Sequence, residues 1–326
     1  METVQKKRYE GIDFVRVICA ILIVFMHTYC FDGGHIGSWV KNCIASVSVP
    51  FFFIVSGFFF KIGLTRAGYN RNYILSYIKK NLVVYSVWTA ITVPVSWYNI
   101  SLAHGECSVF LKILYLVRGY FFVGSLGIYW YLLSLICCAV ILYYAYKNNH
   151  VIACTVFAVL FFTVGVLYNA GILQSTWLYQ LIHIVFGSER NFLMVGLFYM
   201  LLGGYFAEHA FKCSTKFLSF ALVFLIVLKT IEMCWAPVCV FQAPMAVILF
   251  LLALRLKIPS LTKSSLVLHK ISMILYLVHF PFILVFDYYL MHGTVIDFPL
   301  TIAFSALIYF VINCLPRKVQ KALLGS

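Results

Sequence analysis

Ten apolar runs follow one another along the chain, separated by short polar breaks. Each has roughly the 17–25 residues that a helix needs to cross the hydrocarbon of a bilayer. No other feature constrains the fold as much. At membrane depth no water is available to the backbone, so each run must satisfy its own N–H and C=O groups, and an apolar run of this length does so as a helix. The runs fall at approximately 11–31, 39–62, 77–99, 126–146, 151–171, 192–210, 216–235, 238–256, 266–290 and 298–315. The expectation is an all-α integral membrane protein of about ten transmembrane helices, forming a single transmembrane domain over 1–326. A further stretch, 109–124, is shorter and is broken by Lys112 and Arg118, which suits an interfacial or re-entrant helix. Charged residues make up 10% of the chain, against about 25% in an ordinary soluble domain. The first run is too long and too charged for a cleavable signal peptide.

Charge gives an orientation. With the N-terminus inside, the inner segments hold eighteen of the 24 Lys and Arg residues. Positive residues collect on the cytoplasmic side, so both termini are expected in the cytoplasm. The net charge of +14 is mostly this bias, with attraction to anionic lipid added. No basic stripe interleaves with aromatics in a soluble module, so no nucleic-acid partner is expected. The 11 cysteines include no CxxC pair, most fall inside spans, and there is no HxxxH, so no metal site is expected. Cys107 stands in an outer loop without an obvious partner.

The first span is the one that carries chemistry. It holds Asp13, Arg16 and His27, and ionisable groups at membrane depth are functional candidates by default. Arg16 and His27 are eleven residues apart, almost three whole turns, so they share one face about 16 Å apart along the axis. Asp13 lies one turn before Arg16 on nearly the same face. One helical stripe thus holds an anion-binding group near one surface and an acid/base group near the other.

Other polar groups stand at membrane depth or at its edges. Span two carries Pro50 and the pair Ser56-Gly57, which mark a kink or a close helix approach. Lys79 and Lys80 sit where span three leaves the cytoplasm; positive-inside bias explains them, and so does a site for cytoplasmic phosphates. Trp130 opens span four among interfacial aromatics, and Glu189-Arg190-Asn191 lies just outside span six. Span nine carries Tyr276, His279 and Pro281, with Tyr276 and His279 neighbours on one face. Two histidines in the outer halves of their helices, His27 and His279, point to a shared polar site.

At these residues the chain resembles the acyltransferase-3 family of integral membrane acyltransferases. The family's Arg, ten residues, His pattern falls on Arg16 and His27. Its proline-aromatic-Ser-Gly pattern falls on Pro50, Phe51, Phe52, Phe53, Ser56, Gly57 and Phe58. Its Trp-Tyr falls on Trp130 and Tyr131, its Arg-Asn and later Leu-Gly on Arg190, Asn191, Leu202 and Gly203, and its Tyr-x-x-His-x-Pro on Tyr276, His279 and Pro281. Each is weak alone; the ordered set is specific and covers nearly the whole chain. Within the family the opening Gly-Ile-Asp-x-x-Arg and His-Thr look most like the membrane domain of the serine racemases linked to vancomycin resistance. Those proteins carry a cytoplasmic racemase domain after the membrane part. This chain is expected to lack it, so racemase activity is not carried over. Many members carry an Arg-x-x-Arg pair at the cytoplasmic start of span three, where this chain has Lys79 and Lys80; lysine is a point charge rather than a bidentate fork.

The resemblance implies transfer of an acyl group, usually acetyl, from cytoplasmic acyl-coenzyme A to a hydroxyl acceptor, commonly an extracytoplasmic cell-envelope glycan, in a bacterial inner membrane. In that scheme Arg16, with Lys79 and Lys80, holds the phosphates of acetyl-CoA or another acyl-CoA, and His27 is the general base. Asp13 pairs with Arg16, while His279, Tyr276, Trp130, Arg190 and Ser56 line the acceptor path. The residues alone leave a second reading open, a transporter or permease for a small polar solute such as an amino acid. Acidic groups are nearly absent from the span centres, which disfavours a proton-coupled carrier.

Overall fold

The computed structural model describes residues 9–28, 34–105, 107–235, 239–261, 264–290 and 295–325. Within them the chain is helical and no strand forms. The α-helices are α1 (Glu10–His27), α2 (His35–Trp39), α3 (Ser48–Arg66), α4 (Arg71–His104), α5 (Val109–Arg118), α6 (Trp130–Lys147) and α7 (Val151–Asn169), followed by α8 (Trp177–Phe186), α9 (Leu197–Glu208), α10 (Thr215–Trp235), α11 (Gln242–Arg255), α12 (Ser265–Leu290), α13 (Asp297–Cys314) and α14 (Arg317–Leu324). Wider π-helical turns join α2 towards α3 at Val40–Ile44, extend α5 at Gly119–Val123 and lead into α9 at Phe192–Gly196.

Polar caps set several boundaries. The Asn70 side chain accepts from the Asn72 N–H at 2.8 Å and starts α4 ahead of Lys79 and Lys80, so both lysines lie within a continuous helix. Asn191 is buried and accepts from the N–H groups of Leu193 and Met194, each at 3.0 Å, so it is the cap that opens the segment leading to α9.

Six helices are long and apolar enough to cross a membrane, or seven if the bent pair Arg71–His104 and Val109–Val123 counts as one span. α1 has the length but carries Glu10, Asp13 and Arg16. Phe192–Glu208 and Gln242–Arg255 are apolar but shorter. The stretch from residue 109 is not an independent span: its axis turns 113° from that of α4. The sequence reading left the residues of α8 and α14 outside its elements.

α3 is the centre of the bundle. Phe51, Phe53 and Phe60 are fully buried there, not turned to lipid. Its tightest neighbour is α9, and glycines on both helices make the approach possible. A Cβ on Gly57 would lie 2.0 Å from the Met200 carbonyl oxygen, and one on Gly203 would lie 2.0 Å from that of Ile54. Small residues allow backbones to approach in this way where no hydrophobic effect drives helices together. α10 is peripheral and presents Phe220, Val223, Phe224 and Val227 outward, as a lipid-facing helix does.

The arrangement that matters for the site is the pairing of α1 with α12. Arg16 meets His269, and eleven residues later His27 meets His279, ten residues after His269. Both helices advance in the same direction between the two meetings, so they are parallel neighbours in register.

Candidate functional site

A cavity of about 1420 Å³ runs along this pair and is walled also by α3, α4, α6 and the segment before α9. Asp13, Arg16 and His27 of α1 line it, with Ser56 of α3 and Lys80 of α4. Trp130, Arg190, Tyr276 and His279 complete the set. Lys79 is the exception. Adjacent helical residues point about 100° apart, and Lys79 is exposed on another side of α4, outside the lining. The expected lysine pair therefore contributes a single side chain to the cavity.

Three polar rungs join α1 to α12. At the first, the Ser265 hydroxyl donates to the Asp13 carboxylate. At the second, Arg16 Nη1 donates to Asp13 Oδ1 at 2.9 Å and meets His269 Nδ1 at 3.0 Å, while the guanidinium stands 5.3 Å from the Phe59 ring centre. At the third, the rings of His27 and His279 lie 5.3 Å apart, tilted by 37°. Phe280 closes on His27 edge-on at 5.4 Å. The ion pair within α1 neutralises itself locally, and the serine and histidine of α12 hold it in one orientation.

The state of His279 follows from its partners. Nδ1 lies 2.9 Å from the Leu275 carbonyl oxygen and 2.8 Å from that of Tyr276. A carbonyl only accepts, so Nδ1 carries the hydrogen and Nε2 of the neutral ring carries the lone pair. Nε2 is buried and has no hydrogen-bond partner among the described residues. The neutral ring thus keeps an unused lone pair on a residue that lines the cavity. Arg190 and Lys41 lie within electrostatic reach of the His27 ring, and Glu189 stands beside Arg190 on the same cavity wall.

Other expected site residues are braced rather than free. The Tyr276 hydroxyl donates to the Ile128 carbonyl at 2.7 Å, and the Tyr129 hydroxyl donates to that of Leu277 at 2.8 Å. These two bonds clamp the start of α6 to α12 beside His279. Ser56 Oγ is 2.7 Å from the Tyr131 hydroxyl, which donates onward to the Phe52 carbonyl at 3.2 Å. Trp130 packs on the Phe53 ring at 5.6 Å. Arg190 is more than half exposed, with Glu189 3.8 Å away.

Sequence reasoning missed Ser265 and His269. One signal was present: His269 is a further histidine within the same apolar run as His279.

Comparison with known proteins gives the family. The model of the Acyltransferase domain family matches residues 9–315. An amino-acid racemase of Enterococcus faecalis is 29% identical over 212 residues, which is 63% of this chain and 29% of that protein. A second amino-acid racemase of Enterococcus faecalis is 28% identical over 130 residues, 39% of this chain and 18% of that protein. A serine/alanine racemase of Enterococcus gallinarum is 33% identical over 96 residues, 28% of this chain and 14% of that protein. The aligned region thus spans less than a third of each relative's own length. No solved structure matches the chain.

Proposed function

The chain belongs to the Acyltransferase domain family and is a multi-pass membrane acyltransferase; from that premise we propose that it moves an acyl group, acetyl in kind, from cytoplasmic acyl-coenzyme A to a hydroxyl of an extracytoplasmic cell-envelope glycan or similar acceptor. In this reading it sits in a bacterial inner membrane with about ten spans. The six long apolar helices, the α4–α5 pair, α1, the 192–208 segment and α11 supply them. Both termini are cytoplasmic, which puts Arg16 at the inner end of α1 and His27 at the outer end.

The observation that carries the proposal is the ladder between α1 and α12. A transacylase that works across a membrane needs an anion site inside, a base outside and one connected space between them. Arg16 and Lys80 both line the inner part of the cavity. A guanidinium suits phosphate oxygens, and a lysine adds a point charge. Arg16 Nη2 and Nε make no hydrogen bond to the described residues and are available to such a group. The pantetheine arm then lies along the stripe, and its thioester reaches the histidines.

At the outer end His27 and His279 take the acceptor proton. His279 Nε2 has the lone pair for it, and His27 stands one ring away. The acceptor oxygen forms the new ester bond as the thioester carbon–sulfur bond breaks, and the thiolate leaves to be protonated. Trp130, Arg190 and the Ser56–Tyr131 pair shape the acceptor side of the space.

Calorimetric titration of acetyl-coenzyme A and of free coenzyme A into the protein in nanodiscs tests the donor half. Saturable binding is expected for the wild type and is expected to be lost in Arg16→Ala. A second reading has one observation in its favour: the similar racemases act on amino acids, and the cavity is polar at both ends. Absence of coenzyme A binding to a folded, monodisperse wild type would move the assignment to a carrier for a small polar solute, to be tested by uptake.

A further inference from the structure

The scheme above leaves an imidazole at the inner end unused. His269 lines the cavity beside Arg16 and belongs to none of the sequence patterns that marked the site. Its protonation pattern is fixed by its partner. Arginine has N–H donors and no acceptor, so Nδ1 of His269 is the acceptor in the 3.0 Å bond from Arg16 Nη1. In the neutral ring the hydrogen then sits on Nε2. That nitrogen makes no hydrogen bond to the described residues.

The Arg16 side chain is unusually committed on one edge. Nη1 is shared between Asp13 and His269, and Asp13 is itself held by Ser265. The other edge, Nη2 and Nε, is unused. A long side chain held at two points has fewer rotamers to give up when a ligand arrives, which is the gain from preorganisation. Two sets of donors are left unused: the free edge of Arg16 and, on the far side of the imidazole, the Nε2–H of His269.

We infer that His269 is a second anion-binding residue of the inner site, forming with Arg16 a two-pronged fork for the phosphate oxygens of a nucleotide donor. The inference rests on the donor reading proposed above. In it, Nε2–H of His269 donates to one phosphate oxygen of the ligand while Nδ1 holds the guanidinium, whose free edge takes another. Asp13 and Ser265 are positioning residues, acting on the ligand only through Arg16.

Free coenzyme A and pantetheine, which lacks the phosphates, are the probes, titrated into full-length protein in nanodiscs. The variants are Arg16→Ala, His269→Leu, His269→Asn and His269→Asp. His269→Leu removes both functions and is expected to weaken coenzyme A about tenfold or more, the loss typical of a hydrogen bond to a charged group. His269→Asn keeps an acceptor for Arg16 and an N–H for the ligand, and is expected to stay within about threefold of wild type. His269→Asp holds Arg16 but has no donor, and is expected to lose binding as His269→Leu does. Pantetheine affinity is expected to be the same in all four. During turnover His269→Leu is expected to raise KM for the acyl donor with kcat little changed.

Loss in Arg16→Ala with wild-type binding in His269→Leu overturns the fork and leaves the donor reading standing. If His269→Leu does not fold, wild-type affinity in His269→Asp overturns the ligand role by itself. An equal loss of pantetheine and coenzyme A in His269→Leu also overturns it, because the residue would then shape the cavity rather than grip phosphate. No coenzyme A binding by the wild type removes the donor reading and the inference with it.

Discussion

The Tyr276 hydroxyl and the His279 imidazole are three residues apart on one helix face, yet the first is bound to a backbone carbonyl and the second keeps a lone pair unused. Their substitutions should therefore separate. His27→Ala and His279→Ala are each expected to lower turnover by about 10²–10⁴, the usual share of a general acid or base. The unfolding temperature in detergent should barely move. Tyr276→Phe removes one hydrogen bond, worth about 1 kcal/mol of stability, and should leave turnover within tenfold. Acyl transfer assays beside thermal melts check both; a larger rate loss in Tyr276→Phe than in His279→Ala would reverse the roles. The parts of the site that lie on one helix were legible in the sequence. Arg16 and His27 are related by a count of residues, and so are Tyr276 and His279. His269 and Ser265 gain their meaning only from the register between α1 and α12, which no local count supplies. Ser56 was marked as a place of close approach, but its partner Tyr131 lies 75 residues away and was not foreseeable from spacing.

Among elements, the α3–α9 crossing is where the fold tolerates least change. Gly57→Ala or Gly203→Ala places a methyl group 2.0 Å from a backbone oxygen of the opposite helix, so the helices must separate. Overpacking of this kind typically costs about 1–3 kcal/mol. Each variant is expected to melt lower than wild type, whereas Gly119→Ala, with nothing within 4 Å of the added carbon, should not. Scanning fluorimetry on the purified proteins decides this, and equal melting of all three would dismiss the packing account. The Ser-Gly and Leu-Gly patterns were visible in the sequence; that they face one another was not. α8 and α14 escaped notice for another reason. Each is short, and α14 is too polar to read as a span, so their helical character comes from docking onto neighbours. Trp88 Nε1 donates to the Leu323 carbonyl at 2.8 Å and fixes α14 against α4. Likewise, Arg190 and Asn191 read as one motif but divide their work: Asn191 caps the segment before α9 while Arg190 reaches the cavity.

For the whole molecule, charge asymmetry and the direction of α1 lead to one arrangement that can be checked in cells. With all other cysteines replaced, Cys107 is expected to react with a membrane-impermeant maleimide on intact cells, and Cys213, in the segment between α9 and α10, only after lysis. The opposite labelling pattern would invert the molecule and put Arg16 outside. The helical class and the membrane setting could be read from composition and run length, since both are sums over many residues. The cavity could not, because it is the space left between helices whose partners are set by packing. The pairing of α1 with α12 also has a consequence in time. Arg16 and His269 are 253 residues apart, and ribosomes add about 5–20 residues per second. Helix α1 therefore waits on the order of 10–50 s for the helix that completes its wall. During that interval its arginine is at membrane depth with Asp13, one turn away, as its nearest counter-charge. The same carboxylate that later orients the guanidinium first makes it bearable to the lipid, so its replacement should show first as a failure of newborn chains to stay inserted, before any deficit in the finished enzyme.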